Sequence, residues 1–127
     1  MSHRKSIVDA KLEKLQHQSF NYFLHETNPV NGLVVDKNAA DWPASIAATG
    51  LALASYPVAV ERRFSRATAA ERTLTTLRFL WNSPQGPEND ATGYHGFYYH
   101  FLDMQTGRHL PIELIIITKG EQHANPN

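Results

Sequence analysis

The sequence predicts a mainly α-helical protein in which an outer, an enclosed and a second outer helix follow one another, with a short β-hairpin at the C-terminal end. Apolar residues recur at helical spacing between Val8 and Phe23 and again between Leu74 and Trp81, and both segments have a polar side. The segment between them, residues 46–60, has almost no polar side. Because a helix that is apolar all round must be enclosed by protein, we expect neighbours on every side of this segment.

The first helix is predicted to begin after Ser6 and to end near Glu26. Ser6 is a favourable N-cap, and Asp9 places a negative charge in the first turn, where the helix dipole stabilises it. Asn28-Pro29 then stops the helix. Its predicted buried stripe consists of Val8, Leu12, Leu15, Ser19 and Tyr22 or Phe23.

A loop of twelve residues follows, from Gly32 to Pro43, and it is long for a compact domain. Long loops of this kind are often functional, and the residues with useful chemistry in this one are Asp36, Asp41 and Trp42. The alternative interpretation is ordinary turn capping together with one buried aromatic side chain.

The enclosed helix is predicted to begin near Pro43 and Ser45. Its alanines and Gly50 would allow neighbouring elements to approach closely, and Pro57 should kink it or loosen one turn.

The third helix is capped by Ser65 or Thr68, both of which suit an N-cap. Its predicted buried stripe consists of Leu74, Leu77, Leu80 and Trp81. The side chains predicted to face solvent are Glu71, Arg72, Thr75 and Arg78.

The segment from Gly93 to Gly107 concentrates aromatic side chains, two histidines, one acid and three glycines. As one strand, it would place Phe97, Tyr99 and Phe101 on one face and Tyr98, His100 and Leu102 on the other. Asp103 to Gly107 has the composition of a turn, and residues 110–118 are predicted to form a second strand. The segment could bind a ligand by stacking and hydrogen bonding, or it could simply be a half-buried strand.

Composition excludes several function classes. Twelve basic and twelve acidic residues give no net charge, so we expect no nucleic-acid partner. Without cysteine there can be no disulfide or thiolate chemistry, and His95, His100 and Asp103 lack any familiar zinc spacing. We therefore expect no metal and no cofactor. No signal-peptide core or membrane-length apolar run occurs, which predicts no membrane partner and, by default, a cytoplasmic location.

Several separate blocks of the chain resemble one enzyme family. Residues 43–50 (PASIAATG), 58–62 (VAVER), 74–80 (LTTLRFL) and 93–104 (GYHGFYYHFLDM) are similar to the N-terminal part of the glucoamylase-like bacterial glycoside hydrolases, a family that includes endo-β-1,2-glucanases. The resemblance runs from about Leu12 to Arg108. It implies a partial (α/α)6 toroid, a single incomplete domain over residues 1–127, and a β-glucan-type polysaccharide as substrate. Family members are often periplasmic or secreted.

The resemblance also implies which residues would act on a sugar. Glu113-Leu114 matches the start of the family's next conserved segment, but Ile115 to Gly120 departs from it, and the family's acid falls on Thr118. Glycoside hydrolysis usually needs two carboxyl groups, so we expect an N-terminal fragment that is inactive alone. The predicted catalytic residue is Glu113. The predicted substrate-binding residues are Asp36, Trp42, Tyr94, Tyr98, Tyr99, His100 and Asp103.

A second interpretation, from a different class, is a small helical binding or assembly module. Its enclosed helix, residues 46–60, would find the missing neighbours in another copy or another chain, because exposed apolar area favours association. The chain would then be a homo-oligomer.

Overall fold

The computed structural model describes residues 6–111, and this part of the chain is mainly helical, as predicted. It contains three helices, α1 (Ile7–His25), α2 (Ile46–Glu61) and α3 (Arg66–Asn82). Four strands of two residues each accompany them: β1 (Ala44–Ser45), β2 (Gly93–Tyr94), β3 (Phe97–Tyr98) and β4 (Phe101–Leu102).

Each helix begins at a serine cap. The Ser6 hydroxyl accepts a hydrogen bond from the Asp9 N–H at 3.0 Å, and the Asp9 carboxylate accepts one from the Ser6 N–H at 3.2 Å, which completes a capping box. Ser45 caps α2 and Ser65 caps α3, each accepting from the N–H three residues later. The predicted beginning and end of α1 are therefore confirmed, and Ser65 rather than Thr68 caps α3.

The core lies where the second half of α1 meets α2 and the start of α3. Phe20 packs edge-on against Tyr56, with ring centroids 6.3 Å apart, and lies 4.3 Å from the Phe64 ring. Ala52, Ala59 and other small side chains fill the remaining space. A second, smaller cluster consists of Leu33, Ala44 and Leu102, and it joins the loop after α1 to the C-terminal strands.

The aromatic segment forms two short strands rather than the one predicted. β3 pairs antiparallel with β2, while β4 pairs antiparallel with β1. The break has a backbone cause: the Tyr99 N–H donates to Thr92, whereas the His100 carbonyl accepts from Ile46 at the start of α2. The predicted alternation of faces is wrong as well, since His100 is exposed and Leu102 is fully buried although both were predicted to share one face.

The predicted turn from Asp103 to Gly107 is confirmed. The Gly107 N–H donates to the Asp103 carbonyl at 2.9 Å, and Gly107 has a φ of +69°. The chain then pairs back on β4, where the Leu110 N–H donates to Phe101 at 3.0 Å. The second strand predicted for residues 110–118 lies almost entirely outside the described residues.

The predicted buried stripes of the two outer helices are wrong at most positions, although Tyr22, Phe23 and Leu80 are half-buried. Val8, Leu12 and Leu15 of α1 are exposed, and so are Leu74, Leu77 and Trp81 of α3, the last at 88%. α3 instead approaches the rest of the molecule through Ala69 and Thr76, whose small side chains allow close contact. This orientation of α3 also buries part of Arg72, which was predicted to face solvent.

Within residues 6–111, other elements cover only one side of α2. Thr49, Ala52, Tyr56 and Ala59 are buried, whereas Leu51 is 63% exposed and Val58 is exposed as well. No neighbouring element approaches Gly50 closely, because a β-carbon added there would meet nothing within 4 Å. None of the helices in residues 6–111 combines the length and hydropathy that a membrane span requires.

Candidate functional site

A cleft of about 640 Å³ lies at the end of α1. Its walls are the turn after α1, the loop of residues 39–43 and the turn of residues 103–105. Its side chains with useful chemistry are Glu26, Asp41, Trp42 and Asp103. We call this feature the Trp42 cleft. Three carboxylates beside an indole ring can hydrogen-bond to hydroxyl groups while the ring stacks on an apolar surface.

Trp42 is held in the cleft wall by its own loop. Its indole Nε1 donates to the Asp36 carboxylate at 3.3 Å, and its backbone N–H donates to Ala39 at 3.4 Å. The Lys37 ammonium lies 3.6 Å from the ring centroid, in a cation–π contact. The preceding residue, Asp41, has a φ of +55°, which turns the chain into the cleft. The loop therefore brings Asp36 and Trp42 together, two of the residues predicted to bind substrate.

The Asp103 carboxylate accepts hydrogen bonds from its own turn. Its Oδ1 accepts hydrogen bonds from the N–H of Gln105 at 2.9 Å, the N–H of Thr106 at 2.7 Å and the Thr106 hydroxyl at 3.0 Å. Partial burial opposes ionisation of this carboxyl, but the three hydrogen bonds outweigh it and lower its pKa. Asp103 is thus a carboxylate at neutral pH, suited to accept hydrogen bonds and unsuited to donate a catalytic proton.

Two asparagines join the walls of the cleft. The Nδ2 groups of Asn28 and Asn31 both donate to the Met104 carbonyl, at 2.8 and 2.9 Å. The Asn31 Oδ1 also accepts from the Leu33 N–H at 2.9 Å. The sequence does not indicate this role. Asn28-Pro29 and Asn31-Gly32 predict turns, but no neighbouring residue indicates a bond to a carbonyl more than seventy residues away.

Tyr22 supports the cleft from behind. Its hydroxyl donates to the Val35 carbonyl at 2.9 Å. Burial raises the pKa of this phenol, and the nearby negative charges of Glu26 and Asp36 raise it further. The hydroxyl therefore remains a proton-bearing donor and fixes the strand-like segment before the loop.

Asp36 holds the Trp42 indole without lining the cleft itself, and four more of the predicted substrate-binding residues also lie outside the lining: Tyr94, Tyr98, Tyr99 and His100. The Tyr98 hydroxyl donates to the Leu80 carbonyl at the end of α3, at 3.1 Å. Tyr99 stacks on His109 at 3.9 Å, and His100 stacks on Phe101 at 4.3 Å. Tyr94 is exposed beside His95. These contacts are structural, and a ligand role for the four residues stays a prediction.

The predicted catalytic residue, Glu113, lies outside the described residues, so the structure places no partner for it. Within residues 6–111, no three histidine or acidic side chains are arranged to hold a metal ion.

Comparison of the chain with protein-family models, with curated proteins and with solved structures finds no match. The resemblance to the glucoamylase-like hydrolases therefore stays a prediction.

Proposed function

We propose that this chain is an N-terminal arc of an (α/α)6-toroid glycoside hydrolase acting on β-glucan-type polysaccharide, and that the Trp42 cleft contacts the sugar. The observation that carries the proposal is the cleft itself, in which the Trp42 indole shares the wall with the Glu26 and Asp41 carboxylates while Asp36 accepts a hydrogen bond from the indole Nε1. Sugar rings stack on indoles through their C–H faces and offer hydroxyl donors to carboxylates.

The exposed sides of the helices support the toroid. In such a ring, later helices would cover the apolar residues that the described residues leave open, among them Leu51, Leu74 and Trp81. α2 is apolar on its exposed side as well as on its buried one, as an inner helix of such a ring would be.

The chain alone is expected to have no efficient hydrolytic activity. A glycosidase needs a proton donor and a second carboxylate at a fixed separation. Asp103, one of the acids in the cleft wall, is held in its ionised form by three hydrogen bonds and cannot be that donor.

Fluorescence can test sugar binding at Trp42 directly. The Trp81→Phe variant leaves Trp42 as the single tryptophan, and because Trp81 is 88% exposed this change should not disturb the fold. Addition of β-1,2-glucan oligosaccharides should then shift the emission saturably. The matched control is Trp42→Phe, whose remaining Trp81 signal should not respond. No saturable change at millimolar sugar, or an equal response from Trp81, would contradict the proposal.

An activity assay tests the expected lack of turnover. Reducing-end release from β-1,2-glucan by the chain should equal that of its Glu113→Ala variant. Turnover clearly above that variant would show that the chain carries a working acid pair.

A second candidate function is an assembly module, and the exposed apolar positions of α2 and α3 favour it. Residues 47, 51, 54 and 58 of α2 are exposed and lie four, three and four apart. Residues 70, 74, 77 and 81 of α3 are exposed with the same spacing. This is the spacing of a helix-packing seam. Light scattering after size exclusion tests it: a discrete dimer or trimer supports assembly, and a monodisperse monomer contradicts it.

A further inference from the structure

A small cavity between the three helices is separate from the Trp42 cleft. Its volume is about 150 Å³. Its walls come from α1, α2 and the first turns of α3, and the lining residues that matter here are Phe20, Leu24, Tyr56, Phe64, Ser65 and Arg72. We call it the Tyr56 cavity. Most of its wall is aromatic or aliphatic.

Two polar groups on this wall have no hydrogen-bond partner among the described residues. One is the hydroxyl of Tyr56, a residue only 1% exposed, and the other is the buried Nη1 of Arg72. Burying such groups unpaired is costly, so a partner is expected. The guanidinium can only donate and the phenol donates readily, so the group that satisfies both must be an acceptor.

The surroundings favour a negatively charged acceptor. No acidic side chain lines the Tyr56 cavity to neutralise Arg72. Ser65, the N-cap of α3, also lines it, so the positive end of the helix dipole lies on the same side. The unpaired, buried Nη1 of a positively charged guanidinium and a helix N-terminus together attract an anion.

The size and lining define the rest of the ligand. A cavity of about 150 Å³ holds roughly one aromatic ring, far more than a single water molecule, and an apolar lining disfavours filling it with water. We infer that the Tyr56 cavity binds a small organic carboxylate whose apolar body is about one ring in size. Its carboxylate accepts from Tyr56 and Arg72, and its body packs against Phe20 and Phe64. This inference does not depend on the proposed function.

Calorimetric titration with benzoate tests the inference, with benzyl alcohol and inorganic phosphate as probes that each lack one of the two features. Benzoate should bind saturably, one per chain, and both comparison probes should bind at least about tenfold more weakly. Arg72→Gln should weaken benzoate about tenfold or more, and Tyr56→Phe about fivefold. The matched control is Arg78→Gln, an exposed arginine on the same helix, which should leave benzoate affinity unchanged.

Three outcomes would overturn the inference. The first is that benzoate does not bind, which would mean that ordered water satisfies the two groups. The second is that benzyl alcohol binds as tightly as benzoate. The third is that benzoate binds both cavity variants as tightly as it binds the wild type. Tyr56→Phe keeps the buried ring and removes one oxygen, so it decides the question even where Arg72→Gln fails to fold.

Discussion

Gly32 is the residue on which the contact between α3 and the loop after α1 depends. It has a φ of +75°, and a β-carbon there would lie 2.0 Å from the Thr76 Oγ1 and 2.6 Å from the Thr76 Cα. The Thr76 hydroxyl donates to the Gly32 carbonyl at 3.2 Å. Glycine is thus required twice, for its backbone conformation and for the absence of a side chain.

Gly32→Ala should lower the free energy of unfolding by about 2–4 kcal/mol, because it adds backbone strain and a clash with the backbone of α3. The matched control is Gly50→Ala, which lies within α2 with open space around its β-carbon. It should raise stability by about 0.5–1 kcal/mol, the usual gain for alanine in a helix. Urea denaturation measures both. Equal effects of the two substitutions would contradict the proposed contact.

Asp103 should give the protein part of its stability at neutral pH. Its pKa in the folded state is lowered, so its contribution is complete above the ordinary aspartate pKa of about 4 and is lost as the pH falls through the lowered value. Asp103→Ala should cost about 1 kcal/mol at pH 7 and progressively less toward pH 2, by urea denaturation. The control, Asp90→Ala, removes an exposed ion pair with Arg108 and should cost under about 0.5 kcal/mol. A cost for Asp103→Ala that does not change with pH would contradict this account.

At the level of elements, the orientation of α3 is the feature that most affects the surface. The helix contacts the rest of the described residues through Ala69, Thr76 and Phe79, and its leucines at 74 and 77 are exposed. A helix normally buries its apolar stripe, so this arrangement leaves a surface that another element would be expected to cover.

Leu77→Ala should therefore cost less than about 1 kcal/mol, because the side chain loses little buried area. Leu102→Ala should cost about 2–5 kcal/mol, because Leu102 is fully buried in the second cluster. Thermal and urea denaturation of the two variants compare them directly, at low protein concentration to limit association. A similar cost at both positions would mean that α3 faces the core with its leucines.

The helix boundaries could be predicted from the sequence because they depend on local chemistry, as at Ser6 with Asp9 three residues later. The orientation of α1 and α3 could not, since the apolar stripe indicates what a helix tends to bury and not whether the described chain supplies the partner. The β2–β3 hairpin was also missed. His95-Gly96, both with positive φ, forms a tight turn, and an X-Gly pair between aromatic residues was the available signal.

The candidate site was predictable only where it depends on residues close together in the sequence. Asp36 and Trp42 lie in one loop and were predicted together, and the structure joins them by a hydrogen bond. The remaining walls depend on contacts distant in sequence, such as Asn28 to Met104, which no local pattern encodes. The hydrogen bond from the Tyr98 hydroxyl to the end of α3 is another contact of this kind, and the role of Tyr98 in sugar binding stays a prediction.

At the level of the whole molecule, exposed apolar residues lie on all three helices. They include Leu12 and Leu15 on α1, Leu51 on α2 and Leu77 and Trp81 on α3. Apolar surface spread over several faces differs from the single self-complementary patch of a closed dimer. This distribution favours an arc of a larger ring over a self-sufficient assembly module.

The two candidate functions consequently predict different concentration dependence. For an arc, association through several unrelated faces should be open-ended, so that the average mass from light scattering rises steadily with protein concentration. For an assembly module, the mass should reach a plateau at a small whole number of chains, and the melting temperature should rise with concentration in step with it. We expect the steady rise.

The double variant Leu74→Glu/Leu77→Glu should reduce the association only in part, because the α1 and α2 surfaces remain. The control Arg78→Glu on α3 should leave the association nearly unchanged. Complete conversion to monomer by the α3 double variant would instead identify a single interface and favour the module.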